Sequence, residues 1–167
     1  MRGREIMMKL DELYNLYFQD IYRFLVSLTR DPYTAEDLLQ ETFYKAHLHL
    51  ESYHEGSVKS WLFTVARNVF IDHYRKQKRE IVKERSFFAR IFDRKIAVED
   101  HVVVSEELDD LLKILEELPT KQRIAVVLRD FHEFTYEEGA SIMEVSLSNF
   151  KVLLYRGRQE IRQRRNY

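Results

Sequence analysis

Residues 136–156 read YEEGASIMEVSLSNFKVLLYR, and this stretch decides the fold. With Ala140 as the small residue where two helices cross, the helix-turn-helix template expects apolar side chains at 139, 143, 145, 150 and 153. Met143, Val145, Phe150 and Leu153 comply, and Gly139 is the exception. Glu144 falls at the turn, where glycine is easiest because a positive φ is often needed there. Ser146 is placed to cap the second helix, with Asn149 near its first turn. That helix then presents Ser148, Asn149, Lys151, Val152, Tyr155 and Arg156 away from the core. Short polar groups, an aromatic surface and cations are what base edges and phosphates in a major groove require. Arg158, Arg162, Arg164 and Arg165 continue as phosphate anchors.

Working outward, the rest of the chain is also helical. Leu10, Leu13, Tyr14, Tyr17, Ile21, Phe24, Leu25 and Leu28 recur at three- and four-residue steps, which predicts an amphipathic helix over 10–29 ended by Asp31-Pro32. A second helix is expected from Thr34, as its cap, to about Leu50, and SYHEGS then makes a loop. A third carries Trp61, Leu62, Val65, Ala66 and Val69 inward. Thr64, Arg67, Asn68, Ile71 and Arg75 lie on its other side, and it ends in RKQKR. Residues 81–104 lack a sustained period, although Phe87, Phe88, Ile91 and Phe92 make them more apolar than a disordered linker. From Ser105 a helix resumes, broken at Leu118-Pro119-Thr120 and followed by another to about His132. The expectation is an all-α chain: a helical domain over 8–80, a linker over 81–104, and a helix-turn-helix domain over 105–167.

Composition excludes several classes of function. The 167 residues hold 27 Lys+Arg against 28 Asp+Glu, with four Gly, two Pro and no Cys. Without cysteine there is no disulfide framework, thiolate zinc site or cysteine nucleophile. No apolar run is long enough to span a bilayer and no signal-peptide core opens the chain, so a cytoplasmic protein is expected. The near-zero net charge conceals segregation. Six acidic residues face one Lys over 31–55, and eight face one Lys over 99–119. Seven basic residues against three acidic ones fill 67–85, and six against one fill 151–167. Two basic patches suit a polyanion, and the acidic stretches suit a basic partner. Phosphate-binding GxxxxGK, HExxH and GxSxG segments are absent, so catalysis is not expected. His47 and His49 cannot chelate one metal from a helix, where i and i+2 point about 200° apart. No metal or other cofactor is expected.

The stretches AEDLLQETFYKA (35–46), SVKSWLFTVARNVFIDHYRKQKR (57–79) and LPTKQRIAVVLRDFHEFTYEEGA (118–140) resemble, in order and spacing, the extracytoplasmic-function (group IV) sigma factors of bacterial RNA polymerase, within the sigma-70 family. The resemblance spans nearly the whole chain and looks closest to Gram-positive members. It implies a promoter-recognising subunit of RNA polymerase. The 35–46 helix would dock on the clamp helices of the largest subunit through Glu36, Asp37, Leu39, Gln40, Glu41 and Phe43, and the C-terminal domain on the polymerase flap. Tyr53, His54 and Ser57 would capture a flipped −10 base, beside Arg67, Asn68, Arg75 and Lys76. The helix from Ser146 to Arg158 would read the −35 element through Ser148, Asn149, Lys151, Val152, Tyr155, Arg156 and Arg158. Here Val152-Leu153 replace the family's usual Ser-Arg, so the burden shifts to Lys151, Tyr155 and Arg156. The partners implied are core RNA polymerase, promoter DNA and an anti-sigma factor, often membrane-bound, with no small-molecule substrate. The competing reading is a stand-alone helix-turn-helix regulator, which would need a ligand pocket or a self-complementary seam.

Overall fold

A computed structural model describes residues 2–50, 57–84 and 105–166, all built from α-helices and short connections. Helix α1 spans Arg2–Thr29, α2 Pro32–His49 and α3 Val58–Glu84. Their inward rows, Ile21, Phe24, Leu25 and Leu28 on α1, Ala35, Leu38 and Ala46 on α2, and Leu62, Ala66 and Val69 on α3, close one core. The α1–α2 corner differs from the sequence expectation. Asp31, not Thr34, is the cap: its carboxylate accepts from Tyr33 N at 3.1 Å and from Thr34 Oγ1 at 2.6 Å. Pro32 therefore opens α2 as well as stopping α1, because the first helical position has no hydrogen bond to lose. Helix α3 runs to Glu84, past the expected boundary at 80. Residues 85–104 lie outside those described, as do Tyr53 and His54.

The C-terminal half comprises α4 (Glu106–Glu117), α5 (Thr120–Val126), a π-helical turn (Val127–Phe131), α6 (Tyr136–Met143) and α7 (Leu147–Arg165). Ser105 caps α4, and Glu106, Glu107 and Asp109 in its first turn suit the positive end of the helix dipole. Thr135 and Ser146 cap α6 and α7 through hydrogen bonds to Glu138 N and Asn149 N, each 3.1 Å. Between them Glu144 adopts φ 57°, ψ 41°, a left-handed conformation that costs a residue with a β-carbon about 1 kcal/mol. Gly139, the misfit in the template, now has its reason. A β-carbon there would lie 2.7 Å from Phe150 Cε2, so the ring of Phe150 fills the space a side chain would need.

The two halves share a seam. Lys59, Phe63 and Arg67, one turn apart on α3, face the C-terminal half. Phe63 is fully buried, edge-on to Phe134 at 4.8 Å and to His132 at 5.0 Å, and Phe24 of α1 closes the cluster 5.8 Å from His132. Lys59 Nζ lies 5.4 Å over the Phe134 ring. Beside this plug, Arg123 is only 7% exposed and spans the two halves. Its Nη1 donates to Leu28 O near the end of α1 (3.1 Å), and its Nη2 to Glu116 O (2.8 Å) and Leu118 O (3.3 Å) at the end of α4. One cation thus serves the electronegative ends of two helices. At the rim, Arg30 pairs with Glu116 at 2.7 Å and Asp109 at 3.2 Å; such partly solvated pairs contribute about 1 kcal/mol or less.

Burial among these rings pushes the His132 pKa down to about 4; Asp20 opposes the shift, while Lys59 and Arg23 reinforce it. A folded-state pKa below the unfolded value of about 6.5 means the neutral ring is favoured in the closed molecule. That stability is complete above pH 6.5 and is lost as pH falls from there towards 4. Denaturant titrations at pH 7.5 and 4.5 are expected to differ by about 2 to 3 kcal/mol more for the wild type than for His132→Leu. Equal differences would show that His132 stays protonatable in the seam.

Candidate nucleic-acid interface

Three faces carry the residues singled out from the sequence. On α2, Glu36, Asp37, Gln40 and Glu41 are exposed, but Leu39 and Phe43 are each only 6% exposed. Their places on the inward row with Ala35, Leu38, Thr42 and Ala46 explain this, and Phe43 packs edge-on to Tyr14 at 5.0 Å. The expectation that both offer apolar contact to a partner is therefore corrected. The outward row instead holds Tyr33, Asp37, Gln40, Glu41, Tyr44 and Leu48, with Tyr44 63% exposed. Tyr44 and Leu48 were missed although the same helical spacing locates them opposite the core. The row mixes carboxylates with an aromatic and an aliphatic group, a combination that suits a basic protein surface.

On α3, Asn68, Arg75 and Lys76 are exposed on the side away from the core. Ser57 is exposed at the helix start, where its hydroxyl accepts from Ser60 N at 3.3 Å. Trp61 is half-buried and packs on the core. Arg67 differs from its neighbours: its side chain is 15% exposed, its Nη1 donates to Asn68 Oδ1 at 3.0 Å, and the Glu144 carboxylate of the helix-turn-helix turn lies 3.6 Å away. Arg67 Nε is buried and meets no acceptor among the described residues.

On α7, Ser148, Asn149, Lys151, Val152, Tyr155 and Arg156 all face solvent, behind the buried Phe150 and Leu154. Lys151, Tyr155, Arg158 and Arg162 follow one another by helical turns along a groove of about 480 Å³ whose far wall is Tyr136. Arg158 is less free than the sequence suggests. It grips Asp130 with two hydrogen bonds, Nε to Oδ2 at 3.0 Å and Nη2 to Oδ1 at 2.5 Å, which also raise its pKa. Arg164 is similarly held by Glu117 and Glu160. Both cations therefore start from an acidic partner that a phosphate would have to replace. Among the described residues, Lys151, Arg156 and Arg162 have no such partner.

The family models agree with this architecture. The model for Sigma-70 region 2 matches residues 13–80, and that for Sigma-70, region 4 matches 108–161. The chain is 43% identical over 155 residues to the ECF RNA polymerase sigma factor SigM of Bacillus subtilis, covering 93% of this chain and 94% of that one. It is 35% identical over 159 residues to the RNA polymerase sigma factor YlaC of the same organism, covering 92% and 90%. Among solved structures, the sigma factor RpoE of Bartonella quintana, in complex with the anti-sigma factor NepR, superposes with a TM-score of 0.79 at 30% identity, covering 93% of this chain and 95% of that chain. CnrH, solved with the cytosolic domain of CnrY, shares the fold at a TM-score of 0.72 and 19% identity, covering 96% and 89%. With region 2 in α1–α3, region 4 in α4–α7 and relatives matched over nearly their whole length, the chain belongs to the extracytoplasmic-function sigma factors of the sigma-70 family, subunits for transcription initiation.

Proposed function

We propose that the three faces divide the work of initiation by recognition without catalysis, in the bacterial cytoplasm. The outward row of α2 (Asp37, Gln40, Glu41, Tyr44 and Leu48) docks on the clamp helices of the largest polymerase subunit, and region 4 meets the flap. Residues 8–80 form the −10 unit, in which Asn68 pairs with a base edge and Arg67, Arg75 and Lys76 hold phosphates. Tyr53, His54 and Ser57 supply the stacking surface and hydrogen-bonding groups that an extruded base requires. Capturing that base selects the melted strand, so binding energy favours opening. Residues 105–167 form the −35 unit, read by Ser148, Asn149, Lys151, Val152, Tyr155 and Arg156. The two units are joined through 81–104. An anti-sigma factor is the regulatory partner, as one is for the RpoE relative in its complex with NepR.

The observation that carries this reading is the exposed row on α7 behind a complete helix-turn-helix, on a chain whose α3 carries a second exposed polar and basic row. Promoter binding also requires the seam to part. About 25 base pairs separate the two elements, roughly 85 Å at about 3.4 Å per pair. A compact chain of 167 residues is only about 40 Å across.

The test is footprinting of the reconstituted holoenzyme. Changing Lys151 and Arg156 together to Ala is expected to remove protection over the −35 element and weaken promoter binding about tenfold or more, with polymerase binding intact. Asn68→Ala is expected to keep the −35 footprint and reduce permanganate reactivity of the melted −10 thymines. Unchanged footprints from the first variant, or unchanged melting from the second, would remove the respective assignment.

A further inference from the structure

The exposed face of α7 divides by chemistry. Phe150 and Leu154 are buried, and Val152 lies two residues from each, about 200° round the helix, so it stands opposite the core. Ser148 precedes it by one turn, and Tyr155 and Arg156 follow by one turn, all exposed. A helix seated on this face in a major groove therefore brings Val152 deepest. The cations Lys151 and Arg158 stand to one side. Lys151 Nζ lies 5.9 Å over the Tyr136 ring of α6, and Arg158 is gripped by Asp130, which sets both on the flank where a phosphate backbone would run. Tyr155 is 63% exposed, and its hydroxyl accepts from Gln159 Nε2 at 3.2 Å, which anchors the phenol one turn beyond Val152. The centre of the reading face is thus a branched aliphatic group, 45% exposed, with an aromatic ring next to it.

An isopropyl group neither donates nor accepts a hydrogen bond. Pressed against the edge of adenine, guanine or cytosine, it would strip water from a polar group and replace it with nothing, which is unfavourable. Thymine alone presents a methyl group in the major groove. We propose that Val152 is a thymine reader: its isopropyl group packs on the C5 methyl of one thymine in the −35 element, with the Tyr155 ring closing the other side of that methyl. This rests on the assignment of α7 to the −35 element. It also gives a physical meaning to the residue by which this chain departs from the family's usual serine. A hydroxyl can hydrogen-bond to any of several base edges, whereas valine selects by apolar contact. The −35 sequences used by this chain therefore share a thymine at one fixed position, on one strand, opposite the middle of α7.

The experiment uses holoenzyme reconstituted from the full-length protein and core polymerase, on a promoter duplex chosen from the start sites that this holoenzyme uses. Each −35 thymine, on either strand, is replaced in turn by deoxyuridine, which keeps every hydrogen-bonding group and lacks only the methyl. One replacement is expected to weaken wild-type binding about fourfold, equivalent to ~0.8 kcal/mol at fixed salt, and the others less than twofold. With Val152→Ser the thymine and deoxyuridine promoters should bind alike. Val152 is exposed, so this variant is expected to fold, and its retained −10 footprint reports that it does. A wild-type holoenzyme indifferent to every deoxyuridine, or a −35 element without a single thymine on either strand, would overturn the thymine reader. A methyl effect that persists undiminished with Val152→Ser would also overturn it, by assigning the contact to another residue. In all three cases loss of the −35 footprint on changing Lys151 and Arg156 to Ala leaves the −35 assignment of α7 standing. If that footprint survives the double change, the assignment of α7 falls, and the thymine reader with it.

Discussion

Phe150→Ala is expected to destabilise the protein by about 3 to 5 kcal/mol and to abolish −35 recognition. Phe150 is fully buried at the crossing of α6 and α7, against Gly139 and 6.3 Å from the Tyr136 ring. Removing the ring leaves a cavity that the two short helices cannot both collapse into. Loss of the crossing also releases the row Ser148–Arg156 from its orientation. The contact with Gly139 makes a sharper version of the test. Gly139→Ala gains helix propensity of about 1 kcal/mol yet brings a methyl against the Phe150 ring, so a net loss of about 1 to 2 kcal/mol is expected. In a Phe150→Leu background the same substitution should be neutral or stabilising. Thermal denaturation of the four proteins measures this coupling directly, and additive effects would mean that the ring does not occupy that space.

The second large effect is expected at Arg123. Arg123→Met should cost about 3 kcal/mol, because Leu28 O, Glu116 O and Leu118 O all lose their donor at buried or half-buried positions. Arg123→Lys should rescue little, since a single ammonium cannot reach two helix ends at once. The informative readout is the shape of the unfolding curve. The wild type, with its aromatic plug and Arg123 in place, is expected to unfold in one transition. The methionine variant is expected to resolve into two, as regions 2 and 4 lose their mutual support. A single transition at an unchanged midpoint would show that Arg123 does not hold the seam.

How much of this was legible in the sequence depends on which interactions were local. The cap at Ser146, the helix start at Ser105, the turn at Glu144 and the break at Pro119 all follow from neighbours within four residues, and each stands where the spacing placed it. The exposed row on α7 was legible for the same reason, since the template fixes which positions face inward. Thr34 as a cap was a misreading because Asp31, read as part of a helix stop, reaches forward past Pro32. Leu39 and Phe43 lie on the helical spacing that marks core residues, and their docking role came from the resemblance alone. The seam was illegible for a different reason. Phe63 lies off the inward row of α3, and besides Phe24 at 5.0 Å it packs on His132 and Phe134, the latter 71 residues on. Likewise the spacing of Arg123 says nothing of a carbonyl 95 residues earlier in the chain. Long-range contacts between two regions leave a trace in sequence only as a residue that local rules do not account for, and Phe63 and Glu144 are of that kind.

The central claim is tested most directly by reconstituting the purified protein with bacterial core RNA polymerase and mapping the 5′ ends of transcripts from a fragmented genomic library. The account predicts saturable binding to core and a discrete set of new start sites, each preceded by shared −10 and −35 sequences. Lys151→Ala with Arg156→Ala should weaken those start sites in proportion to their dependence on the −35 sequence. Failure to bind core, together with a footprint on duplex DNA alone, would contradict the account and leave a stand-alone regulator in its place.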